Sequence, residues 1–483
     1  MAEKTIIIIG AGMAGLSSGI YGRMNGYRTH IFEHHTKPGG VCTAWKRKDY
    51  TIDGCIHWLG GFKREPVFRE VGALENNPFR PMKHFCRFMD DKTRQTLDVT
   101  SDLDRLASDM KSMEPGNPQV IDEMVSAARR LQTLDENVDR LGGLTGPRDA
   151  LECLARYSMS VWEFCKNFSN PFLRWCLRNS FLPTMPAASL FMLFGQLEAG
   201  DLAFVEGGSL NFALRIARRY EELGGEVTYG ATVEQILVKD DQAVGVQLTD
   251  GSEYRGEIVV SAADGYSTIF NMLGGRYVNQ TIKDQYASWP LSPRIAIVSF
   301  GVAQVFPDEP FSLAVRLEQP VSVSGHHLDG FRMRIFNYDQ TLAPPGKTVV
   351  QVTLGTDFDW WYRLHEGDRP RYDEEKERVA AAVLERLETY FPGITSQVEV
   401  ADVATPYTWL HYTRNYQGSS MAWLTTPETT RAPIEKTLPG LDNFYMAGQW
   451  VGEGGIKGAL YSGRNLVKTL CGQDGKRFLT SLP

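Results

Sequence analysis

The sequence contains little cysteine. Its seven cysteines among 483 residues are an odd number, lie scattered along the chain and form no C-x-x-C pair. This pattern disfavours a disulfide framework and a cysteine zinc site, and it is typical of reduced thiols in the cytoplasm. We interpret most of the seven as small buried apolar residues, and we expect a cytoplasmic protein without a metal site.

The sequence also lacks a basic region and a candidate membrane span. Lys and Arg number 51 against 58 Asp and Glu, which gives a net charge of −7. Because no basic tail is present, we expect no nucleic-acid partner. The apolar run that ends at Ile9 is too short for a signal sequence and gives way to glycine. Contact with the surface of a membrane stays open.

What is present is the composition of a large globular protein. Hydrophobic residues make up 42% of the chain and charged residues 23%, which argues against disorder. A chain of 483 residues has room for two or three domains. Neither an H-E-x-x-H motif nor a complete P-loop occurs, so the sequence gives no support to a zinc hydrolase or an NTPase.

A glycine-rich turn follows the first apolar run. Ile6–Ile9 has the pattern of a strand buried on both faces, and the turn after it contains Gly10, Gly12, Ala14 and Gly15. In such a turn the first glycine permits the tight bend, the second lets backbone amides approach a pyrophosphate, and the third lets helix and strand pack closely. The turn therefore predicts a dinucleotide site.

An acidic residue stands where such a site binds ribose. A helix is predicted over Leu16–Asn25 and a strand over Thr29–Phe32, and Glu33 follows that strand, 18 residues after Gly15. An acid at this point accepts hydrogen bonds from ribose hydroxyls and disfavours a 2′-phosphate, so FAD or NAD fits better than NADP. A second glycine pair, Gly39-Gly40, comes directly after the acid, and simple dehydrogenases have no such element.

At these residues the chain resembles the phytoene desaturase-like branch of the FAD-dependent amine oxidase superfamily, which includes carotenoid desaturases, carotenoid isomerases and retinol saturases. The resemblance implies that Gly39, Gly40 and Val41 lie along FAD. It also implies that the segment with His57 and Trp58 passes near the flavin ring. Many superfamily members have an arginine where this chain has Val41, which leaves the charge partner of the pyrophosphate open.

Two further segments carry the resemblance. In Phe204–Leu210 we interpret Ser209 as a helix N-cap. The resemblance implies that the strands after this segment place Val233 at the adenine ribose end of FAD. Near the C-terminus, a strand that ends at Gly448 precedes a second glycine cluster with Gly455 and Ile456. In the family this cluster opens a helix whose N-terminus is directed at the flavin, where negative charge develops on reduction.

The resemblance implies an α/β fold with a Rossmann-like, GR2-type FAD-binding domain and a discontinuous α+β substrate domain. We assign residues 1–75, 200–290 and 435–483 to the FAD-binding domain, and 76–199 and 291–434 to the substrate domain. Residues 76–199 are predicted to be mainly helical, and their aromatic residues suit either a helical core or the wall of a long apolar pocket. Residues 291–434 return to strands, predicted over Ile295–Val302 and Thr348–Leu354, and a helix is predicted over Asp373–Tyr390, with Val379, Val383, Leu387 and Phe391 on one stripe.

Few side chains are expected to do chemistry, because a flavin accepts or donates hydride itself. His57 is the candidate catalytic residue, since imidazole moves protons near neutral pH, although a structural histidine fits the pattern too. Trp58 and Trp450 are candidates to flank the ring, and Tyr412 or Tyr416 to line the entrance. The nearby cations Lys37, Lys46 and Arg47 are candidate pyrophosphate partners or plain surface charges.

The leading hypothesis is an FAD-dependent oxidoreductase that desaturates, saturates or isomerises carbon–carbon bonds of an apolar, carotenoid-, retinoid- or isoprenoid-like small molecule. One alternative is an amine oxidase that acts on a C–N bond. Another is a flavin-less prenyl- or lipid-binding module like the GDP-dissociation inhibitors. The substrate, the direction of the reaction, the electron acceptor, the flavin linkage and the oligomeric state stay open.

Overall fold

A computed structural model describes residues 3–76, 79–137, 143–323, 325–430, 432, 434–452 and 454–481. Its strands, in chain order, are β1 (Thr5–Ile9), β2 (Arg28–Glu33), β3 (Ala44–Arg47), β4 (Tyr50–Asp53), β5 (Leu59–Gly60), β6 (Phe79–Pro81), β7 (His84–Asp90), β8 (Thr96–Thr100), β9 (Asp135–Asn137), β10 (Gly143–Thr145), β11 (Leu202–Val205), β12 (Glu226–Tyr229), β13 (Val233–Lys239), β14 (Gln242–Leu248), β15 (Glu253–Arg255), β16 (Ile258–Ser261), β17 (Ile295–Val302), β18 (Ser312–Val323), β19 (His326–Ile335), β20 (Thr348–Gly355), β21 (Val398–Ala404) and β22 (Phe444–Met446).

The α-helices are α1 (Met13–Met24), α2 (Pro66–Glu70), α3 (Leu103–Met113), α4 (Pro118–Leu131), α5 (Arg148–Arg156), α6 (Val161–Phe164), α7 (Pro171–Ser180), α8 (Ala187–Glu198), α9 (Gly208–Glu222), α10 (Gln280–Ser288), α11 (Phe358–Gly367), α12 (Arg369–Tyr390), α13 (Pro406–Thr413) and α14 (Gly455–Gln473). In the described part of the chain, none of the helices has the length and the hydrophobicity needed to span a membrane.

A five-stranded parallel sheet holds the glycine-rich turn. Its strand order is β12-β2-β1-β16-β22, so β1 is central, with Ile8 opposite Ile31 on one side and Val260 on the other. One face packs against α1, α9 and α14, and the other packs against the antiparallel meander of β13, β14 and β15. Because both faces are covered, the apolar run of β1 is buried, and the predicted α/β Rossmann-like fold class is confirmed.

A seven-stranded sheet forms the second layer of the molecule. Its order is β21-β17-β20-β19-β18-β7-β8, and its pairs are antiparallel except the parallel pair of β18 and β7. One face packs against α11 and α12, where Val379, Val383 and Leu387 are buried on one stripe of α12 as the sequence predicts. The opposite face is directed toward α7, α8 and the segment that joins β3 to β5.

The prediction that residues 76–199 are mainly helical is wrong for their first part. β7 and β8 form a hairpin there, and β7 pairs with β18, more than 200 residues later in the chain. Such long-range pairing overrides local propensity, so the sequence alone could not place these strands. Further along, the aromatic residues are buried with the helices as a core, apart from the exposed Trp162, which stacks on Arg178.

The predicted N-cap role of Ser209 is also wrong. Helix α9 begins one residue earlier, after Gly207 in the left-handed conformation at φ +83°, and Ser209 lies inside its first turn. The Ser209 hydroxyl donates to Asp53 at 2.7 Å and accepts from the amide of Ile56 at 2.7 Å. Ser209 therefore ties α9 to the segment that carries His57 instead of capping its own helix.

Candidate functional site

The first glycine turn joins β1 to α1 with very little space. Gly10 has φ +94°, a conformation that glycine adopts readily, and its amide donates to the carbonyl of Phe32 at 2.8 Å. A Cβ on Gly15 would lie 1.9 Å from the carbonyl oxygen of Gly10. Gly15 therefore permits the close packing of α1 against the end of β1, as its place in the motif predicts.

Gly12 differs from its neighbours because it faces open space. It is the N-cap of α1, and a Cβ added to it would meet nothing within 4 Å. The second glycine pair lies beside it, since the amide of Gly39 donates to Ala11 at 2.8 Å and a Cβ on Gly40 would lie 3.5 Å from the Cα of Gly12. The two glycine segments thus form one surface with room for a ligand.

Glu33 closes the end of β2 beside this surface. Its two carboxylate oxygens accept from the amides of Ala11 at 2.6 Å and His35 at 2.7 Å. Burial raises the pKa of Glu33, and the two amide bonds oppose that shift. Each carboxylate oxygen accepts more than one hydrogen bond, so Glu33 can shape the turn and still bind hydroxyl groups.

The C-terminal glycine cluster meets the first turn. The amide of Gly448 donates to the hydroxyl of Ser462 at 2.8 Å, and a Cβ on Gly448 would lie 3.3 Å from that of Ala14. A Cβ on Gly463 would lie 2.5 Å from the carbonyl oxygen of Ala14, so α14 packs directly on α1. A Cβ on Gly455, the first residue of α14, would meet nothing within 4 Å, and Ile456 follows it.

The N-termini of α1 and α14 share one electrostatic feature. Neither helix has an acidic residue in its first turn, and neither N-cap, Gly12 or Gly454, offers a side-chain acceptor. The first amides of both helices therefore lack an intrahelical acceptor and attract negative charge. Two such termini next to open space suit a diphosphate.

Val233 and Val41 lie at opposite sides of this surface. The amide of Ala231 donates to the Glu33 carbonyl at 2.8 Å, so the chain that leads to the buried Val233 runs past the end of β2. Val41 packs beside Ile297 of β17, at the face of the seven-stranded sheet. Val233 thus lies on the side of Glu33, and Val41 borders the other layer.

The cationic residues near the glycine pair have other partners. Lys37 donates to the carbonyl of Ala44 at 2.6 Å, Arg47 pairs with Asp402 at 2.7 Å, and Lys46 is exposed. Arg215 of α9 was not predicted as a site residue, and its Nε and Nη2 atoms are buried without a hydrogen-bond partner in the described ranges. In the sequence, an arginine on a partly apolar helix looks the same whether its side chain is buried or on the surface, so the burial of Arg215 could not be predicted.

His57 and Trp58 lie between the two layers, beside the face of the seven-stranded sheet. The Nε2 atom of His57 is buried and has no hydrogen-bond partner among the residues that the structure describes. Burial lowers the pKa of His57 well below its ordinary value, and the positive charges of Arg334 and Arg332 lower it further. Trp58 packs edge-to-face on Phe85 at 5.1 Å between ring centroids.

The sheet face opposite His57 is polar, which is unusual for a buried face. The side-chain amide of Gln351 donates to the carbonyl of Asp53 at 2.8 Å, whereas its Oε1 atom has no partner in the described part of the chain. The buried hydroxyl of Ser299 on β17, opposite Gln351 in register, is likewise without one. Buried polar atoms normally have partners, so the Oε1 atom of Gln351 and the hydroxyl of Ser299 are available to bind a polar group.

The other candidate aromatic residues lie apart from His57. Trp450 is buried in a cluster with Trp423 and Tyr286, at 5.2 Å and 6.3 Å between ring centroids. Tyr416 stacks on Tyr266 at 4.3 Å, and Tyr412 is exposed. Of the two tryptophans, only Trp58 is joined to the segment of His57.

Comparisons with known proteins agree with this geometry. A family model described as flavin containing amine oxidoreductase matches residues 13–470. The chain belongs to this family. The match includes Gly39-Gly40 and the C-terminal glycine cluster, and it begins just after Gly10 and Gly12. The orphaned polar atoms, open glycines and uncapped helix N-termini fit an FAD, which is the cofactor of this flavin amine oxidoreductase.

Named relatives and a solved structure extend the comparison. The chain is 26% identical to the chloroplastic prolycopene isomerase of Arabidopsis thaliana, over 86% of this chain and 73% of that protein. It is 22% identical to the all-trans-retinol 13,14-reductase of Danio rerio, over 94% of this chain and 84% of that protein. An oxidoreductase structure from Methanosarcina mazei matches with a TM-score of 0.63 at 16% identity, over 96% of this chain and 100% of that one. The chain is therefore similar in sequence to a protein named as a prolycopene isomerase and to one named as a retinol reductase, and similar in fold to a solved oxidoreductase.

The chain is an FAD-dependent oxidoreductase of the flavin containing amine oxidoreductase family. Within the ranges that the structure describes, no group of three or more His, Cys, Asp or Glu residues could hold a metal ion. All seven cysteines are free thiols.

Proposed function

We propose that this flavin amine oxidoreductase desaturates, saturates or isomerises carbon–carbon bonds of an apolar, isoprenoid-like substrate. The observation that carries the proposal is the wall beside His57, where Trp58 contacts Phe85 at 5.1 Å and Phe181 at 6.2 Å between ring centroids. Such aromatic surface favours a substrate that buries apolar area. The relatives named for acting on lycopene and retinol support this class of substrate.

The residues proposed to hold FAD come from three segments. The amides of Gly12, Gly40 and Gly455 bind the pyrophosphate, and Glu33 binds the ribose hydroxyls. Arg215, with its buried free guanidinium atoms, supplies the positive charge that Val41 lacks. The bound flavin supplies the hydride acceptor or donor, and the protein orients the substrate and excludes water.

His57 is proposed to act as a neutral imidazole. Because burial and the two arginines hold its pKa well below the ordinary value, it carries no charge at neutral pH. Its unpartnered Nε2 atom can then form a hydrogen bond to a reacting group or accept a proton from it. Trp58 holds the neighbouring apolar part of the substrate against the aromatic wall.

Amine oxidation is the second candidate, because the family is described by that reaction. The charges near His57 argue against it. Arg334 is buried beside Arg332, and an amine arrives as a cation at neutral pH, so these guanidinium groups would repel it. The flavin-less lipid-binding module is disfavoured by membership of a flavin-containing family.

The proposal is tested by the visible absorption spectrum of the purified protein, with FAD identified in the supernatant after denaturation. The reduced and oxidised protein is then incubated with cis-lycopene, phytoene and retinol, and in parallel with benzylamine and putrescine. Conversion of a polyene, seen by chromatography, supports the proposal. Flavin reduction by an amine and no change in any polyene would contradict it and favour amine oxidation.

The position of Arg215 has its own test. We expect Arg215→Met to bind FAD about tenfold less tightly, because a charge-assisted hydrogen bond is lost. The matched control is Arg47→Met, which removes a cation that already pairs with Asp402 at 2.7 Å. Equal FAD affinity in both variants, measured by flavin fluorescence, would remove Arg215 from the site.

A further inference from the structure

Two arginines stand side by side on the buried face of β19 without a carboxylate partner. Arg332 and Arg334 are alternate residues of the strand, so their side chains project from the same face, about 6.6 Å apart along the strand. Arg334 is 8% exposed. Within the ranges that the structure describes, neither guanidinium lies within ion-pair distance of an acidic side chain, whereas Arg316 on the neighbouring strand β18 pairs with Asp90 at 3.2 Å.

The hydrogen bonds of the pair leave most of its donors unused. Arg334 donates from Nη1 to the hydroxyl of Thr353 at 2.6 Å. Arg332 donates to the hydroxyl of Ser312 at 2.9 Å and to the carbonyl of Asn179. These acceptors are neutral. A buried cation normally has a charged partner, so the site lacks an anion.

The surroundings of the pair point to the substrate as the source of that anion. The carbonyl of Asn179 that Arg332 contacts is two residues from Phe181, which packs on Trp58 at 6.2 Å between ring centroids. Arg332 also lies over the ring of Phe88 at 5.7 Å. The cationic pair is therefore the polar end of the same aromatic wall that we assign to the substrate.

We propose that Arg332 and Arg334 bind the carboxylate of an amphipathic substrate, an acid with a long apolar, polyene-like chain. The planar guanidinium fork matches a carboxylate in a bidentate arrangement. The inference rests on the proposed function and narrows it from apolar molecules to apolar acids. Gln351, opposite Arg334 in register, adds a neutral polar neighbour to the site.

The charges around the two arginines favour a ligand with a single negative charge. Tyr338, whose pKa burial raises well above its ordinary value, lies near both Arg334 and two buried carboxylates, Asp53 and Asp339. Those carboxylates already accept from neighbours, Asp53 from Ser209 at 2.7 Å and Asp339 from the amide of Gly207 at 2.7 Å. Their negative charges oppose a more highly charged group such as a diphosphate.

The electrostatics of Arg334 agree with the geometry. Burial and the charge of Arg332 lower the pKa of Arg334 to about 9, and no acidic side chain in the described ranges forms an ion pair that would offset this shift. A bound carboxylate would reverse that shift. An anionic ligand is therefore expected to stabilise the fold more than its uncharged counterpart.

The test compares all-trans-retinoate with all-trans-retinol, which share one carbon skeleton and differ in charge. Each is titrated into the FAD-loaded protein, and binding is followed by perturbation of the flavin absorption bands and by quenching of tryptophan emission. We expect retinoate to bind about 10- to 100-fold more tightly than retinol, as charge-assisted hydrogen bonds to a buried arginine imply.

Variants of the two arginines test whether they are the residues that bind the carboxylate. Arg334→Met and Arg332→Met should each lower the affinity for retinoate at least about tenfold and leave that for retinol unchanged. The control Arg363→Met removes an exposed arginine of α11 and should change neither. FAD content and melting temperature are measured for each variant, and Arg334→Met should melt no lower than the wild type because it removes a buried charge.

Four outcomes would overturn the inference. Equal binding of retinoate and retinol to the wild type, which needs no variant, removes the carboxylate site and leaves the proposed function standing. Tighter binding of geranylgeranyl diphosphate than of retinoate would assign the arginines to a phosphate. Loss of FAD from Arg334→Met would assign Arg334 to the cofactor. If no polyene binds the FAD-loaded protein at all, the proposed function itself fails.

Discussion

At the scale of single residues, Glu33 combines two tasks in one buried carboxylate. It holds the glycine turn through the amides of Ala11 and His35, at 2.6 and 2.7 Å, and it has lone pairs left for ribose hydroxyls. Its place at the end of β2 is visible in the sequence. The hydrogen bond to Ala11 is not, because it depends on how β1 and β2 lie next to each other.

Removing this carboxylate should weaken cofactor binding. We expect Glu33→Ala to bind FAD about 10- to 100-fold less tightly, because charge-assisted hydrogen bonds of about 1.5 to 3 kcal/mol are lost. Glu226→Ala on the neighbouring strand β12 is the control, since Glu226 is exposed. FAD affinity is measured by flavin fluorescence. A wild-type affinity in Glu33→Ala would exclude Glu33 from the ribose site.

Asp264 is a buried carboxyl that the sequence analysis did not single out. Its oxygens accept from the amides of Ser267 at 2.7 Å and Tyr416 at 2.8 Å, which joins the end of the parallel sheet to the segment after α13. Burial raises the pKa of Asp264 to about 6, and those amide bonds oppose the shift. The folded state therefore prefers the protonated carboxyl.

Because the pKa of Asp264 is raised in the folded state, the stability of the protein should fall as the pH rises. The contribution of Asp264 to stability is present at low pH and is lost as the pH rises from about 4 to 6. Compared with Asp264→Asn, the wild type should lose on the order of 2 to 3 kcal/mol of unfolding free energy over that range. Urea unfolding from pH 4.5 to 7.5 measures this, with Asp284→Asn as an exposed control. Parallel pH curves for wild type and Asp264→Asn would refute it.

At the scale of elements, two glycines at the start of helix α1 have different roles: Gly15 is needed for folding, and Gly12 is proposed to contact the cofactor. Gly15 packs α1 on the end of β1, and a Cβ there would lie 1.9 Å from a backbone oxygen. Gly12 starts the same helix and faces open space. Sequence spacing predicts both glycines, and the structure shows the different physical reason for each.

Alanine at the two positions should therefore give different results. Gly15→Ala should destabilise the protein by about 3 kcal/mol or more, because backbone must move. Gly12→Ala should leave the unfolding midpoint of the FAD-free protein unchanged and lower FAD affinity, since its Cβ enters the space for the cofactor. Denaturant unfolding and FAD titration of both variants decide this. A stable Gly15→Ala, or a Gly12→Ala that binds FAD normally, would contradict the assignment.

The elements that the sequence predicted well share a property. β1, β17, β20 and α12 carry their own pattern of apolar residues over several consecutive turns or residues. β18 and β19 were not predicted, because their polar and charged inward-facing residues, Arg334 among them, break the alternation that marks a strand. The cationic pair was missed for the same reason, since its burial follows from tertiary packing.

At the scale of the whole molecule, bound FAD should stabilise the contact between segments that are far apart in the sequence. The open surface is built from Gly12, Gly40 and Gly455, which lie near the beginning and the end of the sequence. The predicted division into an FAD-binding domain and a substrate domain stays a prediction. The parallel sheet that underlies the surface nevertheless takes strands from residues 5–9, 258–261 and 444–446.

Cofactor removal tests this picture. A ligand that binds only the folded state stabilises it by about 2.7 kcal/mol at a concentration one hundred times its dissociation constant. The FAD-free protein should therefore melt at a lower temperature than the loaded protein, and proteolysis should cut it sooner near α14. Calorimetry and limited proteolysis measure both effects. Identical melting curves with and without FAD would show that the cofactor binds elsewhere or not at all.

The contact between α1 and α14 also sets the order of events during translation. About 430 residues separate the end of α1 from the start of α14, and at 5 to 20 residues per second the ribosome needs roughly 20 to 90 seconds to make them. Until α14 is made, Leu16 and Ile20 of α1 lack part of the apolar surface that buries them in the folded protein. Because the proposed FAD surface includes Gly455 at the start of α14, we expect flavin to bind only after α14 has been synthesised.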